Sequence, residues 1–151
     1  MYRFKVNGKE VQTEQDLGLM KYLREELGLS SVKNGCNEGA CGACSVLIDG
    51  KLAKACVLKT SKLDGKSIDT LEGFSALEKK IYAYAFDKKG AVQCGFCTPG
   101  MLVATKALLD INPDPTREEC AVAIRGNYCR CTGYVKIVDS MLFAAQLLKA
   151  G

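Results

Sequence analysis

Eight of the nine cysteines in this 151-residue chain fall into two sets of four, and nothing else in the sequence restricts its fold and chemistry as strongly. Cys36, Cys41, Cys44 and Cys56 read C-x4-C-x2-C-x11-C, and Cys94, Cys97, Cys129 and Cys131 read C-x2-C-x31-C-x-C. Each set supplies enough sulfur for one iron–sulfur cluster. The first has the spacing by which plant-type ferredoxins hold a 2Fe-2S centre. Zinc is the competing metal, since it also accepts four thiolates and commonly uses C-x2-C pairs. Spacing favours iron–sulfur at the first set and leaves the two metals nearly even at the second. Two clusters on one small chain imply electron transfer.

At this length the chain is one ordinary domain or two small ones, and the cysteine sets divide it near residue 70. We expect two domains, 1–73 and 74–151. A piece of roughly 70 residues buries only about 60% of its extended-chain surface, so a metal site in each half adds stability that a small core lacks. The formal net charge is +4. Each oxidised cluster with its thiolates carries about two negative charges, which brings the loaded chain near neutrality and removes basicity as an argument for nucleic acid. The opening Tyr2-Arg3-Phe4-Lys5-Val6 has no apolar secretory core, and the apolar runs are too short to span a bilayer. The expectation is a cytoplasmic protein with no membrane partner, its thiols kept reduced for metal.

Residues 2–6 and 9–13 flank Asn7-Gly8, a strong two-residue hairpin signal. Leu19, Leu23 and Leu27 recur at helical spacing before Gly28, predicting a helix over 17–27. Residues 45–49 and 51–55 bracket Gly50 as a second hairpin, and 67–70 adds a short strand. The first half is therefore α+β. From Ser75 the period changes. Ser75 with Glu78 forms a capping box for a helix whose apolar stripe is Leu77, Ile81, Tyr84 and Ala85. Thr98-Pro99 reads as an N-cap and first helical residue, Thr116 with Glu119 caps a helix to about Arg125, and 134–149 is a last amphipathic helix. Four helices imply a compact bundle.

Gly35, Gly39 and Gly42 lie among the first four cysteines, letting a loop curl so that its N–H groups face sulfur. Cys94 and Cys97 precede a helix start, whose partial positive charge favours thiolates. Both second-set pairs are followed by helices, which predicts a cluster inside the bundle. Cys120 reads as a buried structural thiol. The chain has no histidine, which excludes Rieske ligation and histidine-based triads. It also lacks a phosphate-binding glycine loop, so a flavin or nucleotide would bind another chain. No catalytic residue is expected here.

Three segments carry a resemblance: Gly35-Cys36-Asn37-Glu38-Gly39-Ala40-Cys41-Gly42-Ala43-Cys44, Gln93-Cys94-Gly95-Phe96-Cys97-Thr98-Pro99-Gly100-Met101, and Gly126-Asn127-Tyr128-Cys129-Arg130-Cys131-Thr132-Gly133-Tyr134. In order and spacing, over nearly the whole chain, it resembles the small iron–sulfur subunit of molybdenum hydroxylases, the xanthine dehydrogenase and aldehyde oxidoreductase family. The resemblance implies an α+β fold with an N-terminal β-grasp, ferredoxin-like domain followed by an all-α four-helix-bundle domain, each with one 2Fe-2S cluster. It implies a large partner subunit with molybdopterin, in the cytosine dinucleotide form, and a medium partner subunit with FAD. It places Gln93 and Cys131 in contact with the pterin and directs electrons from the Cys94, Cys97, Cys129, Cys131 centre to the Cys36, Cys41, Cys44, Cys56 centre and on to FAD. Arg130 and Tyr134 are structural on this reading. Substrates implied for the whole enzyme are a purine such as xanthine, another N-heterocycle or an aldehyde. The rival is a free-standing ferredoxin-type carrier, and a zinc-bound interaction module is the third reading.

Overall fold

Two alternating segments begin the computed structural model, which describes residues 1–150. β1 (Tyr2–Val6) and β2 (Lys9–Thr13) pair antiparallel. Between them Asn7 and Gly8 have φ of 52° and 83°, the left-handed pair that matches the twist of a two-residue hairpin. β3 (Ser45–Ile48) and β4 (Lys51–Lys54) repeat the device across Asp49 and Gly50. β5 (Ser67–Asp69) enters between the hairpins, parallel to β1 and antiparallel to β3, so the sheet order is β2-β1-β5-β3-β4.

The helix expected over 17–27 is present but changes gauge. α1 (Leu19–Lys21) widens over Tyr22–Glu26 into a π-turn, where the N–H of Leu27 reaches the carbonyl of Tyr22 at 3.2 Å. Leu19, Tyr22 and Leu23 enter a core with Phe4, Val6, Val46 and Ile68. The Tyr22 ring meets Phe4 edge-on at 5.6 Å.

The remaining helices are α2 (Ala76–Lys88), α3 (Thr98–Ile111), α4 (Arg117–Ala123) and α5 (Val135–Ala150). α2 and α4 begin with the expected capping boxes. Ser75 accepts from the Glu78 N–H at 3.1 Å while Glu78 accepts from the Ser75 N–H at 3.3 Å, and Thr116 and Glu119 do the same. α3 departs from expectation: Cys97 occupies the cap position, Thr98 is already helical, and no side chain caps this end.

α2 runs along α5, α4 packs on α5, and α3 lies against β3 and β4 as well as α4 and α5. That central position buries Gly100 through Thr105, and Leu47 of β3 joins the helical core. The buried face of α2 is Tyr82, Ala85 and Phe86, whereas Leu77 and Tyr84 of the expected stripe are 56% and 52% exposed. Two aromatic rings one turn apart bury more apolar area than Leu77 and Tyr84 would, so the helix rotates toward them. Cys120 is fully buried in this core, as expected.

The chain between sheet and helices is held by polar contacts. The Asn7 side chain accepts from the Thr70 N–H at 2.8 Å and donates to its hydroxyl at 2.9 Å. That hydroxyl donates to Glu72 at 2.8 Å, and Glu72 also accepts from both the hydroxyl and the N–H of Ser31. Five strands and five helices make the fold α+β. Among the described residues no helix is long and apolar enough to cross a membrane.

Candidate metal centres

Every sulfur of the first set accepts a peptide N–H. Cys36 accepts from Cys41 and Ala40 at 3.3 Å and from Glu38 at 3.4 Å. Cys56 accepts from Gly39 at 3.2 Å, Cys41 from Ala43 at 3.4 Å and Cys44 from Cys56 at 3.4 Å. The loop folds its N–H groups inward through positive φ at Asn37, Gly39 and Gly42. A Cβ at Gly35 would lie 2.6 Å from the Cys41 Sγ. Backbone donation, led by Cys41, brings the Cys36 thiol down to about 6. Burial instead pushes Cys44 up to about 11.

The four thiols divide into two pairs. The Cys41 N–H donates to the Cys36 sulfur at 3.3 Å, and the Cys56 N–H to the Cys44 sulfur at 3.4 Å. In the second set Cys131 Sγ lies 3.6 Å from Cys94 Sγ, which leaves Cys97 and Cys129 as the other two. Burial pushes Cys97 up to about 12. Burial also acts to raise Cys129, but hydrogen bonds from Thr132 and Cys97 outweigh it and leave this thiol below its ordinary value. Two and two is the division a dinuclear cluster requires, because each iron takes two thiolates. A single tetrahedral ion would draw all four to one point.

The second set does not lie inside the bundle. Cys94 and Cys131 are exposed, Cys97 is half-buried and Cys129 buried. Its cysteines sit in loops at helix ends, and loops run over the surface where their backbone groups remain solvated. Cys97 is the cap residue before α3, while Cys129 and Cys131 precede α5. Gln93 is exposed beside Cys94. Tyr134, with φ of 76°, accepts from the Cys129 N–H at 3.0 Å through its hydroxyl, which gives it the expected structural role.

The two loops touch. The Tyr128 N–H donates to the Cys41 carbonyl at 2.8 Å. The buried Asn127 amide donates to the Gly42 carbonyl at 3.1 Å and to Ser45 Oγ at 3.2 Å. Gly42 has φ of 77°, and a Cβ there would lie 2.5 Å from the Gly126 carbonyl. A cavity of about 340 Å³ between the sets is lined by Gly35, Cys41, Phe96, Cys97, Cys129 and Cys131. The sequence reading missed Asn127, Thr132 and Lys54, which donates to the Gly39 carbonyl. Of these Asn127 and Thr132 carried a signal, as polar residues within a cysteine motif.

Comparison with known proteins agrees with this geometry. A family described as a 2Fe-2S iron–sulfur cluster binding domain matches residues 2–84, and one described as a 2Fe-2S binding domain matches residues 70–142. The nicotinate dehydrogenase small FeS subunit of Eubacterium barkeri is 48% identical over 139 residues, covering 91% of this chain and 88% of that protein. The crystal structure of quinoline 2-oxidoreductase from Pseudomonas putida 86 contains a chain that superposes with a TM-score of 0.85 at 38% identity, covering 99% of this chain and 96% of that one. The aldehyde oxidoreductase of Desulfovibrio desulfuricans superposes at 0.91 with 42% identity over 99% of this chain, which spans only 17% of that longer polypeptide. The same unit thus occurs as a separate chain and as one portion of a large one. Two cluster-binding families in tandem, separate-chain relatives of similar length and a shared fold lead to one assignment: the chain belongs to the small 2Fe-2S iron–sulfur subunits of the molybdenum hydroxylases, the xanthine dehydrogenase and aldehyde oxidoreductase family.

Proposed function

We propose that the chain relays single electrons from a molybdopterin centre to FAD, holding one 2Fe-2S cluster on Cys36, Cys41, Cys44 and Cys56 and another on Cys94, Cys97, Cys129 and Cys131. The observation that carries this reading is a pair of cysteine loops, each with four free thiols, joined by the Tyr128–Cys41 hydrogen bond. The clusters supply one-electron chemistry, and the chain supplies ligands, spacing and hydrogen bonds. Peptide N–H groups around Cys36 and Cys56 stabilise added negative charge at the first set. At the second, Thr132 donates to Cys129 at 3.3 Å.

The finer architecture we assign is a ferredoxin-like β-grasp domain, 1–73, and a helical cluster-binding domain, 74–151. The exposed edge of Cys94 and Cys131, with Gln93 beside it, suits a pterin whose edge needs both a donor and an acceptor. Molybdopterin, as its cytosine dinucleotide, belongs on a large partner subunit and FAD on a medium one. Electrons then enter at Cys131 and leave past the first set. Relatives described as small subunits do not favour a free-standing carrier. We assign the enzyme to the cytoplasm and to oxidation of a purine, another N-heterocycle or an aldehyde.

Electron paramagnetic resonance of the reduced protein tests the ligand assignment. Two distinct rhombic signals are expected, with Cys41→Ala removing one and sparing the other. Loss of both signals in that variant overturns two separate sites. Purification from the native host without a molybdenum or flavin chain overturns the subunit assignment.

A further inference from the structure

Lys54, the last residue of β4, is half-buried. Among the described residues its ammonium has no carboxylate within ion-pair distance. It turns instead into the first cysteine loop, donating to the carbonyls of Gly39 at 2.8 Å and Ala40 at 3.2 Å. The same two peptide groups present their other ends to sulfur. The N–H of Ala40 and the N–H of Cys41 both reach Cys36 Sγ at 3.3 Å.

A trans peptide aims its C=O and N–H in opposite directions, and the chain has no cis bonds among its described residues. The ammonium therefore stands behind both peptide groups and the sulfur in front of them. A cation on a carbonyl draws electron density toward oxygen and makes the N–H at the far end a stronger donor, a cooperative effect along a hydrogen-bonded chain. The full charge also acts directly through a partly desolvated path. A Cβ at Gly126 would lie 3.3 Å from the Lys54 Nζ, so the loop leading to Cys129 covers this ammonium and limits screening by water.

We propose that Lys54 is a positioning residue that raises the reduction potential of the first cluster, acting through the Gly39–Ala40 and Ala40–Cys41 peptide groups rather than by touching sulfur. The reduced cluster carries one more negative charge than the oxidised one, so stronger N–H donation and a nearby cation stabilise it selectively. Outer-shell partners tune metal centres in this manner. The inference rests on Cys36, Cys41, Cys44 and Cys56 holding a 2Fe-2S cluster. Absence of that cluster's signal in the unaltered protein refutes that ligand assignment, whereas the outcomes below concern Lys54 alone.

The test is a redox titration of the assembled protein, followed by the paramagnetic signals of the two clusters separately. Lys54→Met removes the charge and both donors. Lys54→Gln removes the charge and keeps an amide donor, Lys54→Arg keeps the charge, and Lys51→Met changes net charge equally from an exposed position on the same strand. In Lys54→Met and Lys54→Gln the first cluster's reduced-to-oxidised ratio at a fixed potential should fall roughly tenfold, equivalent to about 59 mV for one electron. The second cluster should shift much less, and Lys54→Arg should stay near the parent. An unshifted first cluster in Lys54→Gln overturns the proposal. So does an equal shift of both clusters, or a shift as large in Lys51→Met. Loss of the first signal in both neutral variants also overturns it, in favour of a loop-holding role.

Discussion

The Tyr128 N–H donates to the Cys41 carbonyl at 2.8 Å, so a single hydrogen bond joins the residue before Cys129 to a cysteine of the other set. From the Cys41 sulfur to the Cys129 sulfur a path can be traced along covalent bonds with only that one non-covalent step. The contact lies beside Asn127, whose side chain binds the Gly42 carbonyl and Ser45. The Ser45 hydroxyl also donates to Gly42, at 2.6 Å.

Asn127→Ala should loosen this seam. Asn127 is 3% exposed, so its loss removes two buried hydrogen bonds with little chance of replacement by water. A stability loss of about 1–3 kcal/mol is expected. Urea unfolding of the loaded protein measures it, and the rate of electron exchange between the clusters should fall in the same variant.

Alanine at Gly42 and at Gly50 should separate two kinds of glycine. Both have positive φ, 77° and 83°, but a Cβ at Gly50 meets nothing within 4 Å whereas one at Gly42 meets the Gly126 carbonyl at 2.5 Å. Gly50→Ala should therefore cost about 1 kcal/mol, the backbone effect alone. Gly42→Ala should cost clearly more and lower the iron content, because its loop must move away from the neighbouring one. Iron analysis and thermal unfolding of both variants check this.

Stability should respond to pH through Glu78 and Lys106, which meet at 2.6 Å with side chains 22% and 17% exposed. Burial acts to raise the Glu78 pKa, but the hydrogen bond and charge of Lys106 outweigh it and hold the carboxyl below 4.5. Burial acts to lower Lys106, but Glu78 and Asp110 outweigh it and hold the ammonium above 10.5. The Glu78 contribution is complete above its unfolded pKa and is lost as pH falls through the lower folded value. The Lys106 contribution is complete below its unfolded pKa and is lost as pH rises through the higher folded value. Lys106→Met should thus destabilise by about 1 kcal/mol near neutrality, with the difference from the parent shrinking at both extremes. Denaturant midpoints measured across pH read this directly.

Cys120→Ala should leave the metal centres intact. The thiol is fully buried in the helical core, and burial raises its pKa above the ordinary value, so it is a packed, protonated side chain. Iron content should remain at about four per chain with both clusters present, while stability falls by about 1 kcal/mol for the small cavity. Cys129→Ala should instead lower the iron content by about half. Iron-to-protein ratios distinguish the two.

Features set by neighbouring residues could be read directly from the sequence. Asn7-Gly8 and the Ser75–Glu78 and Thr116–Glu119 boxes each depend on a few consecutive positions, and each appears as expected. The buried face of α2 could not be read in this way, because packing along α5 selects Tyr82 and Phe86 over Leu77 and Tyr84. The open edge at Cys94 and Cys131 was hidden for a related reason: helix-end spacing says which thiols are near, not which side faces solvent. Asn127 and Gly42 are separated by 85 positions, beyond any local pattern. Lys54 was invisible because its partners are backbone carbonyls, which leave no mark in residue identity.

The seam between the cysteine loops also determines what this polypeptide contributes as a component. Because Tyr128, Asn127 and Gly42 fasten the two loops through contacts wholly within the chain, the gap between the two stations is built in before any other subunit arrives. A partner can change its pocket, and with it the molecule oxidised, without altering the length of this internal wire. The same fold thus recurs in enzymes of different specificity.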